Sequence, residues 1–108
     1  MQNIIKFKDL VESNHFIEAH EVLEDDWLKF KKAGELDKAK LYKGLINGAT
    51  SIALYKMNRS KRAVDITWGA FIKYKSLSSF IEEDKKRYVL EAISLIESKQ
   101  KEIINRTF

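Results

Sequence analysis

The stretch HEVLEDDW, residues 20 to 27, puts an imidazole, a carboxylate and an indole on one potential helix. At about 100° per residue, His20, Glu24 and Trp27 fall within roughly 60° of each other. Phe16, Leu23 and Phe30 belong to the same side, and Ile17 and Leu28 flank Glu24. The spacing therefore predicts an ionisable pair inside an apolar arc. A bare carboxylate there is costly unless a cation or several donors meet it.

Three chemistries follow from that arrangement. The pair can hydrogen-bond across the fold to Asn47, Ser51 or Tyr55 and fix helix register, with Trp27 as core. It can line a pocket walled by Trp27 and Trp68 and orient a small ligand or a partner's polar group. Or His20 can act as a metal ligand or general base, with Glu24 as second ligand or orienter, in a metal-binding or hydrolase-like protein. The last reading has the fewest residues behind it. Zinc needs three or four protein ligands, and the other histidine, His15, lies before this helix. The run ESNH, Glu12 to His15, has the Glu-x-x-His spacing of carboxylate-bridged di-iron bundles, but in a single copy that straddles Asn14. There is no His-Glu-x-x-His, no glycine-rich phosphate loop and no serine elbow. The residues call for no catalytic assignment, no cofactor and no resident metal.

A second cluster is basic. Lys56, Arg59, Lys61 and Arg62 place four cations in seven residues, next to the start of a helix. Such a turn is either simply solvated or contacts phosphate, nucleic acid or an acidic partner. No aromatic residue is interleaved within it to stack a base.

These residues need elements to hold them. The chain has 108 residues, enough for one domain over residues 1 to 108 with one hydrophobic core. Apolar residues make up 44% and charged residues 33%, which is ordinary for a globular protein and unlike a disordered one. Twenty basic against sixteen acidic residues give a formal charge of +4, enough for weak attraction to a polyanion. With no cysteine, disulfides and thiolate chemistry are excluded, and a reducing cytoplasm is the expected setting. The N-terminal run MQNIIKFKDLVES has no signal-peptide pattern, and no stretch approaches the roughly 18 apolar residues of a membrane span.

Three- and four-residue spacing recurs and strict alternation is missing, so the expected fold is all-α. Helices are predicted over about 4–13, 16–32, 35–57 and 61–78, with a last one from about Glu82. Asn14 and Gly34 suit helix exits, and Ser60 suits a cap. The third helix should bury Leu41, Leu45, Gly48, Ile52 and Tyr55. The fourth should bury Ala63, Ile66, Ala70, Tyr74 and Leu77, and the last Val89, Ala92, Ile93, Ile96 and Ile103. Short connections imply an antiparallel bundle or array of about five helices. Gly44 and Gly48 predict a close helix approach, or a ligand or water in the groove they leave. Trp68, Phe71 and Ile72 form a second stripe on the fourth helix, either core or the face of a homodimer.

The run FIEAHEVLEDDW, followed by KGLINGATSIALYKMNRSKRAV, resembles the small bacterial and archaeal family known as domain of unknown function 309. Its HxxxExxW signature is matched by His20, Glu24 and Trp27. A second element resembles Gly44, Leu45, Ile46, Asn47 and Ala49, followed by Asn58, Arg59, Arg62 and Ala63. The resemblance spans about residues 4 to 80. Asn47 stands where the family usually has glutamine, and Leu54 lies near a position where it often has histidine. The resemblance implies an all-α fold and the His20–Glu24–Trp27 cluster as its distinctive site, without assigning an activity. The expected function is a non-enzymatic binding module, with a protein or small molecule as partner.

Overall fold

The computed structural model describes residues 2–104. It is all-α, with no strand among the described residues. The helices are α1 (Gln2–Glu12), α2 (Phe16–Val22), α3 (Glu24–Lys32), α4 (Leu36–Lys56), α5 (Lys61–Tyr74) and α6 (Glu83–Ile103), with a 3₁₀ segment over Lys75–Phe80. No described helix is long and apolar enough to cross a membrane.

Three helix ends close in the same way. Asn14, Gly34 and Asn58 take positive φ values of 66°, 76° and 57°. In each case the next residue's N–H reaches back five positions. His15 bonds to Leu10 O at 2.8 Å, Glu35 to Phe30 O at 2.9 Å, and Arg59 to Leu54 O at 2.9 Å. Asparagine and glycine tolerate this left-handed turn, and the closure satisfies carbonyls that the helix leaves open. At the start of α5, the Ser60 hydroxyl accepts from the Ala63 N–H at 3.2 Å, as its residue type predicts.

The rod expected over 16–32 is broken at Leu23, which ends α2 and begins α3. No glycine or proline causes the break. Leu23 is fully buried, and its backbone (φ −92°, ψ −6°) departs from helical values. The side chain's place in the core outweighs the helix propensity of its neighbours. The fourth helix also ends sooner than expected, because residues after Tyr74 tighten into the 3₁₀ segment.

The central element is α4, which packs against α2, α3, α5, α6 and the 3₁₀ segment, while α1 packs against α2 and α6. Leu41, Leu45, Gly48 and Ile52 are buried along it, with Tyr55 half-buried. The glycines on α4 set its distance from α5 and α6. A Cβ at Gly44 would lie 2.9 Å from the Tyr74 Cβ, and one at Gly48 would lie 2.9 Å from both the Phe71 ring and Ile96 Cγ2. Close helix packing, not a bound ligand, fills these positions.

That contact also fixes the rotation of α5. Val64 and Phe71 are buried, whereas Ile66, expected inside, is 61% exposed. The inward face lies about one residue round from the predicted one. Phe71 is core, with Trp68 resting on it at 4.7 Å between ring centroids. On α6, Val89, Ala92, Ile93 and Ile96 are buried as the spacing predicts. Every helix except α3 contributes a fully buried apolar side chain to the connected core.

Candidate functional site

The break at Leu23 falls between the two residues of most chemical interest. His20 lies in the last turn of α2 and Glu24 opens α3. His20 Nε2 sits 2.9 Å from Glu24 Oε1, so the two are joined across the discontinuity. Their side chains are 35% and 45% exposed. The expected burial of this pair is therefore corrected: it lies at the margin of the core. The reason is visible in its flanks. Ile17 and Leu28, expected from the spacing to enclose Glu24 in an apolar arc, are 50% and 39% exposed. The core is met instead by Phe16, Ala19 and Leu23.

On the facing helix, Lys43, Asn47, Thr50 and Leu54 follow one another at helical spacing. Lys43 places its ammonium 4.3 Å from the centre of the Trp27 ring, and Lys31 lies 5.2 Å from the same ring. Two cations over one indole hold it by attraction to the ring's negative face. His20, with Phe16 and Ile17, lines a shallow hollow of about 200 Å³ completed by Thr50, Leu54 and Met57. Asn47 comes between these two zones along α4 and is half-buried. Among the described residues no hydrogen bond links it to His20 or Glu24. Ser51, another expected partner, turns the other way and donates to Val64 O at 2.9 Å. Trp27 and Trp68, expected to wall one pocket, line different hollows. Trp27 borders a hollow with Leu36, Ala39 and Tyr74, whereas Trp68 lines a separate cleft with Tyr55, Arg59 and Lys61.

Lys43 is the residue that the sequence reading missed. Its signal was present, because it stands one turn before Asn47 on the same ridge of α4. His15 belongs to a local turn, with Nδ1 2.9 Å from the Ser13 hydroxyl. Among the described residues, no group of three or more His, Cys, Asp or Glu side chains converges on a metal position.

The basic turn is divided by the fold. Lys56 lies 5.6 Å from the centre of the Phe16 ring, and Lys61 pairs with Asp65 at 2.6 Å. Arg59 and Arg62 are exposed and make no ion pair among the described residues.

Elsewhere, Lys38 bridges Glu35 and Glu82, and Lys8 and Arg87 both engage Glu91. The hydrogen bond from Lys38 holds the Glu82 carboxyl below its ordinary value, and Glu82 with Glu35 raises Lys38. Burial pushes the Tyr42 phenol up to about 12, aided by the negative charges of Asp26 and Glu82.

No curated protein and no solved structure matches the chain. The family model described as domain of unknown function DUF309 matches residues 4–66. That span takes in α1 from Ile4 onward, α2 to α4, the His20–Glu24 pair, the basic turn and the start of α5. Since the match covers more than half of the chain, the protein belongs to the DUF309 family.

Proposed function

We propose that the protein is a non-enzymatic binding module whose ligand is read along the seam of α2 and α3 with α4. The observation that carries this reading is the His20–Glu24 contact at 2.9 Å in a half-open setting. A fully buried pair would serve the scaffold, and two free surface groups would have no fixed direction. Here each group orients the other, and both remain within reach of a partner. Trp27 and Asn47 lie along the same seam. The neighbouring hollow, with exposed Ile17 and Met57 on its rim, suits an apolar side chain. Together these features favour a protein segment that presents an apolar anchor beside a polar group.

The connected core, which runs from Ile4 to Ile104, supports reading the chain as a single domain. A cytoplasmic setting belongs to this reading and is supported by the absence of cysteine. A metal-binding or hydrolase-like role would use the same His20 and Glu24, but among the described residues no third His, Cys, Asp or Glu ligand converges with them.

Selection of displayed peptides on the intact chain, followed by amide-shift mapping, tests the proposal. Selected peptides should shift amides in residues 17–27 and 47–57 and bind His20→Ala at least fivefold more weakly. Peptides that map elsewhere, or that bind His20→Ala equally well, would overturn it.

A further inference from the structure

A cleft of about 390 Å³ lies between the end of α4, the start of α5 and the end of α6. It shares no lining residue with the hollows beside His20 and Trp27. Its volume falls within the usual range for small-molecule sites, about 300–1,000 Å³. Val64, Tyr55 and Trp68 supply apolar wall, and Arg59, Lys61 and Asp65 supply charge. The basic turn has no aromatic residue of its own. The fold brings one to it, from a position two helical turns into α5.

We propose that this cleft binds a small molecule with a flat aromatic body and a single anionic group. Trp68 is positioned by the Phe71 ring beneath it, with 37° between the ring planes, so its indole is a fixed wall. Flat rings pack well against such a surface. The charge count sets the second requirement. Lys61 is neutralised by Asp65 at 2.6 Å, whereas Arg59 has no ion pair among the described residues. Among the described lining residues one positive charge therefore remains over, and a guanidinium is suited to a carboxylate, sulfonate or phosphate group. The bounded volume favours a small molecule over a nucleic-acid strand.

The dye 8-anilinonaphthalene-1-sulfonate has this chemistry and serves as the probe. In a Trp27→Phe background, Trp68 is the remaining tryptophan and reports directly. Saturable one-to-one binding with quenching of Trp68 is expected. Arg59→Ala should weaken it at least fivefold, and Asp65→Asn, which releases Lys61, should tighten it. The uncharged analogue N-phenyl-1-naphthylamine should bind less tightly than the sulfonate. His20→Ala should leave the affinity unchanged, which separates this cleft from the seam. Circular dichroism and thermal melts of each variant keep loss of fold from passing for loss of binding. Non-saturable binding, affinity indifferent to both Arg59→Ala and Asp65→Asn, or loss in His20→Ala would each overturn the proposal. So would a single-stranded oligonucleotide that displaces the dye and binds more tightly than it does.

Discussion

Gly48 faces Phe71 so closely that a methyl group added to the glycine would lie 2.9 Å from the ring. Three helices meet at this point, since Ile96 of α6 stands equally near. The two neighbours are a ring edge and a branched side chain, neither of which can swing clear.

The same substitution should therefore have opposite signs at two glycines. Alanine in place of a mid-helix glycine gains about 1 kcal/mol of helix propensity. Nothing lies within 4 Å of a Cβ built at Gly69, so Gly69→Ala should stabilise by about 0.5–1 kcal/mol. At Gly48 the overpacking cost, typically about 1–3 kcal/mol, should outweigh that gain. Urea denaturation of both variants checks the contrast, and stabilisation by Gly48→Ala would show that α4, α5 and α6 are looser than described.

Glu24→Gln should alter stability by less than about 1 kcal/mol, because half-exposed polar contacts of this kind contribute little. A loss of several kcal/mol in equilibrium unfolding would place the pair among the scaffold interactions and remove the basis for a binding seam.

Stability should fall on the alkaline side through Tyr42. The unfolded phenol ionises near pH 10, whereas burial keeps the folded one protonated up to about 12. Between those values the folded state holds a proton that the unfolded state has released, so stability declines with rising pH, by about 2–3 kcal/mol over the window. Lys38 acts in the same direction: its raised value gives stability that is present below 10.5 and lost as pH climbs through the folded value. Tyr42→Phe should flatten part of this decline while staying close to wild type at neutral pH. Denaturation curves at pH 9, 10.5 and 12 provide the comparison.

Acid should act through different groups. Glu82 and Glu91 are both held below the ordinary 4.5 by hydrogen bonds from lysine and arginine. Their contribution is present above that value and is lost as pH falls through the lowered folded values. Glu82→Gln should make the acid limb of a Tm-against-pH curve shallower, and an unchanged limb would show that the Lys38 bridge contributes nothing in solution.

Ser60→Ala should cost about 1 kcal/mol through loss of the α5 cap, whereas Ser60→Asp should retain most of it. Thermal melts of the two variants test whether the hydroxyl's acceptor role is what matters.

Local chemistry was readable in the sequence wherever a single residue decides it. Asn14, Gly34 and Ser60 end or start helices because of what their own atoms can do. The buried stripe of α4 and its two glycines followed from spacing. The rotation of α5 did not, because its sequence offers two adjacent apolar stripes, and the choice depends on which one meets Gly48. The break at Leu23 was hidden for a similar reason: a leucine within helix-forming neighbours gives no local sign that the core will draw it out of line. The depth of His20 and Glu24 is not legible in the sequence, because apolar flanks do not ensure enclosure, and Ile17 and Leu28 turn outward. Lys43 over Trp27 needs the α3–α4 pairing before it can be seen.

The absence of any fully buried side chain on α3 has a consequence for how the molecule loosens. Its nine residues are held by Leu23 at one end, by Trp27 under its two lysines and by the edge of the Phe30 ring against Tyr42, 5.0 Å between centroids. Segments with so little buried area open locally well before the chain unfolds as a whole. Deuterium should enter the amides of residues 26–32 early, while those of α4 stay protected. Occupancy of the seam would then register first as slowed uptake in this one short stretch, before any shift in the global melt.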